Sequence, residues 1–152
     1  FVLTYDFDES AGYWLTIATQ SYHRAVTEVM APHGITYRQA LVLYWLVLKG
    51  EMSQAELAAK MMVEPPTLVG ILDRMERDGW ITRNGCPNDR RRKIIRPTAA
   101  AEPVWEKITE SGRRVREQAT QNLTEREFIT LRDLLQRVHV NLESPAPVES
   151  VT

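Results

Sequence analysis

A run of basic residues in the second half of the chain is the strongest chemical signal in the sequence. Residues 83–96 carry six basic side chains and one acidic one, Asp89, while the chain of 152 residues has a net charge of −1. A dense local cluster in a near-neutral protein indicates a site that attracts an anionic partner, rather than a generally basic surface. Its basic members are Arg83, Arg90, Arg91, Arg92, Lys93 and Arg96.

Other chemistries have weaker support. His23, His33 and His139 are far apart and lack metal-ligand spacing, so no metal site is expected. No nucleophile–base arrangement, glycine-rich phosphate loop or pair of catalytic carboxylates stands out, which predicts a non-enzymatic protein without a cofactor. The single cysteine, Cys86, excludes an intramolecular disulfide and is expected to be structural rather than redox-active. This cysteine usage predicts a cytoplasmic protein. The longest apolar run, Ala40–Leu48, has about half the length that spans a bilayer, so no membrane contact is expected.

The basic cluster follows a predicted helix-turn-helix. Ser53 and Glu56 have the spacing of a capping box, which marks the start of a short helix. A second helix begins at Glu64–Pro66, where proline suits the first turn, and ends at Gly79. The connection of about four residues is too short to let the two helices separate. The second helix buries a stripe at helical spacing formed by Leu68, Ile71, Leu72 and Met75.

After Gly79 the hydrophobic period changes to that of strands. Residues 80–83 and 93–96 read as two strands, joined by a loop over residues 84–92 that contains the turn residues Gly85, Pro87 and Asn88. A hairpin with a basic tip directly after a helix-turn-helix is typical of a winged helix.

Four further helices are predicted around this unit. One starts at Ser10, one at the Thr36–Gln39 capping box, one at Thr98 and one at the Thr124–Glu127 box. The helix after Thr36 is apolar on nearly every side and is expected to be buried at the centre of the fold. The first and last helices are amphipathic, and their apolar faces are too extensive to be buried on one small winged helix, so we expect them to pair with a second copy.

The fold class predicted from these elements is mainly α with a small β-hairpin (α+β). Residues 1–35 form an N-terminal arm and dimerisation helix, and residues 36–98 form the winged helix-turn-helix. Residues 99–143 form the C-terminal dimerisation helices, and residues 144–152 a flexible tail.

With these motifs in place, the chain resembles the MarR family of bacterial transcription regulators, and most closely its SlyA/RovA type. The resemblance covers about residues 10–142 and is most specific at Asp89 and Arg91, the Asp-x-Arg of the wing. It rests on the segments Met52-Ser-Gln-Ala-Glu-Leu-Ala58, Pro66-Thr-Leu-Val69, Leu72-Asp-Arg-Met-Glu76, Gly79-Trp-Ile-Thr-Arg83, Asp89-Arg-Arg-Arg-Lys-Ile-Ile-Arg-Pro-Thr98 and Ala101-Glu-Pro103. It implies an obligate homodimer that binds pseudopalindromic operators in double-stranded DNA and is often released by small aromatic anions.

The helix after Glu64 is the candidate reading helix. Pro66, Thr67 and Gly70 are expected at base edges, because recognition helices enter the major groove by their N-terminal end. SlyA-type proteins usually carry Arg where this chain has Gly70, so their operator sequence does not transfer. Arg74 and Arg77 are expected to hold phosphates. The alternative is a solvated helix with pairs such as Asp73–Arg77.

The wing and two helix starts complete the predicted DNA site. Asp89 is expected to orient Arg91 towards a minor groove, with Arg90 and Arg92 facing phosphate or solvent; a flexible charged loop is the alternative. Ser53 with Gln54, and Arg38, lie at helix starts within reach of a duplex backbone, although capping or surface roles explain them nearly as well.

An effector site and a second function remain open. The resemblance implies a cavity between the dimer helices and the DNA-binding domain for a small aromatic carboxylate, and four side chains could line it or simply pack. They are Tyr22, His23, His33 and Trp45. The alternative function is a winged helix that uses its basic wing on an acidic protein partner instead of DNA.

Overall fold

The computed structural model describes residues 6–86 and 89–143, without the side chains of Cys86 and residues 89–92. Six α-helices and three strands are found in this part of the chain. The helices are α1 (Ala11–Met30), α2 (Tyr37–Lys49), α3 (Gln54–Met61), α4 (Pro65–Arg77), α5 (Glu102–Ala119) and α6 (Glu125–Glu143). The strands are β1 (Met52–Ser53), β2 (Ile81–Cys86) and β3 (Asp89–Pro97), and short 3₁₀ turns cover Ala31–His33 and Ala99–Ala101.

The chain divides into two compact units, one ending at Val115 and the other beginning at Arg116. The first unit contains α1 to α4, the sheet and most of α5; the second contains the end of α5 and all of α6. None of the helices in the described part is both long enough and apolar enough to cross a bilayer. The α+β winged-helix fold predicted from the sequence is confirmed.

Helix starts follow the side-chain caps in the sequence. The Ser10 hydroxyl accepts from the Tyr13 N–H at 3.2 Å at the start of α1. In each of the three predicted capping boxes, the cap hydroxyl accepts a backbone N–H, and the Gln or Glu three residues later accepts the N–H of the cap residue. Both hydrogen bonds satisfy N–H groups at the helix start that have no backbone partner within the helix. These boxes are Thr36–Gln39, Ser53–Glu56 and Thr124–Glu127.

The three strands form an antiparallel sheet with the order β1–β3–β2. The hairpin of β2 and β3 was predicted, but both strands are longer than residues 80–83 and 93–96. Strand β1 is an addition, since Met52 and Ser53 pair with Ile95 and Ile94. Two residues are too few to show an alternating pattern, so the sequence gives no signal for β1. Pairing with β1 connects the wing to the start of the helix-turn-helix.

The core of the first unit lies where α4 meets α2, α3 and the sheet. All four residues of the predicted α4 stripe are buried, with Leu68, Leu72 and Met75 fully inaccessible. Strands contribute Ile81 and Ile95 to the same core. Burying one aliphatic side chain of this size stabilises a fold by roughly 1.5–3 kcal/mol, so this stripe fixes the orientation of α4.

The expectation that α2 is covered on nearly every side is wrong. Helices α1, α3 and α4 and strand β3 pack against one side of it. On the other side Tyr44, Val47 and Leu48 are exposed to 46%, 57% and 53%. The elements packed against α2 within its unit therefore bury only part of its apolar surface.

Thr98 does not cap a helix as predicted. Its hydroxyl donates to the Gly79 carbonyl, and its N–H donates to the Trp80 carbonyl at 2.9 Å. These bonds close the base of the hairpin, and a 3₁₀ turn separates Thr98 from α5. Gly79 has a φ of +77°, a conformation that favours glycine and lets the chain reverse from α4 into β2.

Candidate nucleic-acid interface

The turn between α3 and α4 is tight. Met62 ends α3 in the left-handed conformation, with φ of 51°, and its N–H bonds back to the last turn of the helix. Helix α4 begins two residues after Val63, with Glu64 as its N-cap. Pro65 and Pro66 have no N–H, so Thr67 has the only backbone donor among the first three helical residues. The start of α4 is therefore a poor anion site, and its contacts must come from side chains.

The solvent face of α4 carries the predicted reading residues. Pro66, Thr67, Arg74 and Arg77 are exposed and Gly70 is half-buried, opposite the buried stripe. The two arginines follow in the last two turns of the helix. The structure thus places the uncharged N-terminal residues and the two arginines of the C-terminal half on one accessible surface.

An ion-pair cluster joins this helix to the wing. Arg83 on β2 places Nη2 at 2.6 Å from Asp73 Oδ1 and at 2.6 Å from Glu76 Oε2 on α4, and Nε at 2.9 Å from the same Glu76 oxygen. The Arg83 N–H also donates to Glu76 Oε1 at 3.2 Å. The Arg83 side chain is 21% exposed. We call these three residues the wing clamp, because they fix β2 to α4.

The wing clamp revises the interpretation of the basic cluster. Arg83 faces two carboxylates and so has a structural role instead of attracting an anion. Arg96 pairs with Glu51, just before β1. Arg83 and Arg96 thus have acidic partners within the fold, so the anion-binding role predicted for the whole cluster is not supported for these two.

The pairs proposed for a merely solvated α4 are not the ones observed. Asp73 contacts Arg83, whereas Arg77 places Nε at 3.2 Å from Asp78 Oδ1. The Arg77 side chain is 72% exposed, and a pair this exposed contributes little to stability. Arg77 could therefore leave Asp78 and bind a phosphate with little loss of folding free energy.

The wing hairpin is irregular towards its tip. Gly85 pairs with Lys93, but the next residue of β2, Cys86, pairs with Asp89, so three residues of β3 bulge out of register. They are Arg90, Arg91 and Arg92, and their side chains, with those of Asp89 and Cys86, lie outside the described part of the chain. Their predicted contacts, including the orientation of Arg91 by Asp89, stay predictions.

The residues predicted at helix starts have different environments. Arg38 is exposed in the first turn of α2, and Gln54 is half-buried as the first residue of α3. Ser53 is only 3% exposed, and its hydroxyl lies 2.6 Å from Glu56 Oε2. Its hydroxyl is committed to the capping box, so a DNA contact through this side chain is not supported.

The predicted effector residues do not form one group. His23 Nε2 lies 2.8 Å from the hydroxyl of Tyr37, with ring centroids 4.4 Å apart. Burial raises the pKa of Tyr37, and the nearby Tyr22 raises it further, so this hydroxyl stays protonated at neutral pH. Trp45 instead packs under the Lys60 ammonium, 5.6 Å away. Among contacts between described residues, none joins His33 or Trp45 to His23.

Tyr37 was missed by the sequence analysis. It follows the Thr36 cap and lies 14 residues from His23, and neither position has a spacing that predicts their contact. Over residues 6–86 and 89–143 there is no group of three or more His, Cys, Asp or Glu side chains that could hold a metal ion.

Comparisons with known proteins agree with this geometry. Residues 35–93 match the family model described as the MarR family. Apo MarR from E. coli is 28% identical with a TM-score of 0.78, over 85% of this chain and 96% of that chain. A cysteine-to-serine mutant of E. coli MarR complexed with operator DNA is also 28% identical, with a TM-score of 0.75, over 89% and 99%. BpsR from Bordetella bronchiseptica, described as regulated in its DNA binding by 6-hydroxynicotinic acid, is 20% identical and shares the fold, with a TM-score of 0.76 over 90% and 98%.

The wing clamp predicts a specific pH dependence. The Arg83 hydrogen bond lowers the pKa of Glu76 below its usual 4.5, so the clamp stabilises the fold above that pH and loses this contribution as pH falls through the lowered pKa. Urea unfolding across pH should show a steeper loss of stability below about pH 4.5 for the parent than for Glu76→Gln. Glu106→Gln, on an exposed glutamate without an arginine partner among the described residues, should behave like the parent. Equal pH profiles for the parent and Glu76→Gln would contradict the clamp.

Proposed function

We propose that this chain is a transcriptional regulator of the MarR family that binds pseudopalindromic promoter sites as a homodimer and responds to a small aromatic anion. Its similarity to the SlyA/RovA type, carried by residues such as Ala101–Pro103, is part of the same proposal. The observation that carries the DNA-binding proposal is the single accessible face of α4, which the wing clamp couples to the basic hairpin.

The positions of the residues on this face of α4 suggest which of them contact bases and which contact phosphates. Thr67, Pro66 and Gly70 lie on the N-terminal half of α4 and read base edges, while Arg74 and Arg77 on the C-terminal half hold phosphates. Arg38 and Gln54 add contacts to the duplex backbone. Arg91, oriented by Asp89, enters a flanking minor groove, with Arg90 and Arg92 at the phosphates.

Dimerisation is proposed from exposed apolar side chains. Helix α6 has no buried residue, although its sequence has the pattern of a buried amphipathic helix. Helix α1 likewise exposes Trp14, Ile17 and Tyr22. A second copy that covers α6 would remove these groups from water in a symmetric interface. The exposed apolar residues of α6 are Phe128, Ile129, Leu131, Leu134, Leu135, Val140 and Leu142.

Two-fold symmetry then sets the spacing of the site. A dimer that places its α4 helices in successive major grooves requires half-site centres about 10 base pairs apart. DNA is favoured over an acidic protein partner because Thr67, Arg74 and Arg77 share one helix face beside the wing, and because a relative of the chain has been solved with operator DNA.

The effector is proposed to be a small aromatic carboxylate that contacts His23 and Tyr37. An aromatic ring can stack on the outer side of this ring pair, and the protonated Tyr37 hydroxyl can donate to the carboxylate. Tyr22 on the adjacent position of α1 is the third candidate. His33 and Trp45 belong to the earlier prediction, but the contacts described above do not connect them to this cluster.

Salt dependence tests the DNA interface. If Arg74 holds one phosphate, Arg74→Ala should weaken binding to all duplexes similarly and reduce the slope of log affinity against log salt by about one unit. Fluorescence titrations with specific and unrelated duplexes at several salt concentrations measure both. Arg113→Ala, which removes an exposed arginine on α5, is the matched control and should leave the slope unchanged. An unchanged slope for Arg74→Ala would contradict its phosphate role, and no duplex binding by the parent would contradict the function.

The dimer is tested by a charge within the apolar face of α6. Leu135→Asp should raise the dimer dissociation constant and weaken DNA binding in parallel, because it places a carboxylate in the proposed interface. Thr130→Asp adds the same charge about 140° around the helix and should have a smaller effect on both. Analytical ultracentrifugation measures the assembly. A parent that sediments as a stable 17.5 kDa monomer at micromolar concentration would contradict the dimer.

The effector is tested by linkage. Benzoate and salicylate should raise the melting temperature and weaken DNA binding, and DNA should weaken ligand binding by the same factor. Benzyl alcohol, which lacks the carboxylate, should do neither. His23→Ala should reduce the ligand response while leaving DNA affinity without ligand unchanged. A parent response that persists fully in His23→Ala would place the ligand elsewhere.

A further inference from the structure

Gly70 has no role in the fold of α4 that the structure reveals. Its φ is not in the left-handed range, and a Cβ built on it meets no atom within 4 Å. Glycine inside a helix is nevertheless less favourable than alanine, because it loses more backbone entropy on folding. The chain therefore keeps a destabilising residue at a position where its own packing would accept a side chain.

Towards the start of α4 the surface beside Gly70 is uncharged and weakly polar, whereas Asp73 and Arg74, three and four residues later, are charged and exposed. Pro66 and Thr67 precede it, and Val69 beside it is 36% exposed. The first guanidinium on this helix, that of Arg74, follows one turn later. In the first two turns of α4, Thr67 is the only exposed side chain with a hydrogen-bonding group.

This composition restricts which base pairs the helix can read. Guanine presents two acceptors in the major groove, which are normally met by Arg or Lys, whereas thymine presents a methyl group that apolar side chains contact. An apolar surface leaves polar base edges without partners on either pair, but only an A·T pair offers a methyl group that such a surface can bury in return. Glu64, the N-cap of α4, can accept an amino proton from adenine or cytosine, and therefore does not disfavour an A·T pair.

We propose that Gly70 lets the backbone of α4 approach the base edges closely, and that the half-site is read through thymine methyl groups packed against Pro66, Thr67 and Val69. The proposal rests on the DNA-binding function above and specifies its substrate class. The missing side chain at Gly70 removes the spacer that would hold the helix away from the groove floor. Arg74 and Arg77 then hold the phosphates of a half-site rich in A·T pairs.

The first arm of the test changes only the DNA. A half-site selected by the parent from random duplexes is synthesised with deoxyuridine in place of each thymine in turn, which deletes the 5-methyl group and keeps the pairing. Each contacted methyl should account for about a threefold to fivefold loss of affinity, the factor expected for burying one methyl group. The salt slope should not change, because no phosphate contact is lost.

The second arm changes the protein. Gly70→Ala should raise the melting temperature by roughly 2–4 °C and yet weaken binding to the selected site at least several-fold, with unrelated duplexes unaffected. Gly112→Ala is the matched control, because Gly112 is also a helical glycine with open space at its Cβ position. It should stabilise the protein similarly, and sedimentation and titration should show an unchanged dimer and affinity.

A third pair of variants separates methyl contact from hydrogen bonding. Thr67→Val keeps the methyl and loses the hydroxyl, so it should retain most of the affinity. Thr67→Ser keeps the hydroxyl and loses the methyl, so it should bind as the parent binds the corresponding deoxyuridine duplex.

The outcomes distinguish this proposal from the function on which it rests. If the parent binds no duplex, the proposed function fails. If the parent does bind a selected site, the DNA-binding function stands, and three results would overturn the methyl-reading proposal alone. The first is equal binding of the deoxyuridine duplexes, and the second is selection of guanine-rich half-sites. The third is a Gly70→Ala variant that keeps specific binding or has a destabilised fold.

Discussion

The contact of Arg83 with Asp73 and Glu76 determines how the two predicted DNA-contacting elements relate to each other. Helix α4 is oriented by its buried stripe, and β2 begins immediately after the reversal at Gly79. A hairpin joined to the core only at its base could change its angle, but a forked guanidinium on two carboxylates of α4 restricts that freedom. The clamp therefore fixes the start of β2 relative to α4.

This arrangement makes the proposed DNA-binding surface compatible with a net charge of −1. Three acidic residues near the predicted interface are paired within the fold: Asp73 and Glu76 with Arg83, and Glu51 with Arg96. Their charges are compensated locally, so they repel phosphates less than their number indicates. Arg74 and Arg77 remain on the exposed face of α4.

Local signals in the sequence predicted most of the fold. The capping boxes at Thr36, Ser53 and Thr124 and the apolar stripe of α4 were confirmed because each depends on residues within one or two helical turns. What could not be predicted depends on contacts between distant residues or on what covers a surface. Contacts between distant residues account for strand β1, the hydrogen bonds of Thr98 and the partners of Arg83. The exposed face of α2 depends instead on what covers that surface.

The candidate site shows the same division. The sequence located α4, the wing and the residues on the helix face, because helical spacing alone puts Thr67 and Arg74 on one side. It also assigned Arg83 to the anion-binding cluster and Ser53 to the DNA-contacting residues. The acidic partners of Arg83 and the burial of Ser53 are visible only in three dimensions. The contact of His23 with Tyr37 has the same origin.

The most direct test of this account is the operator affinity of Arg83→Lys as a function of salt. Lysine keeps the positive charge but cannot span two carboxylates as the guanidinium does. If Arg83 acts by fixing the wing to α4, affinity should fall several-fold while the salt slope stays at the parent value. If Arg83 instead held a phosphate, lysine could hold it as well, and both affinity and slope would be retained. An unchanged affinity would therefore mean that the wing clamp does not position the wing.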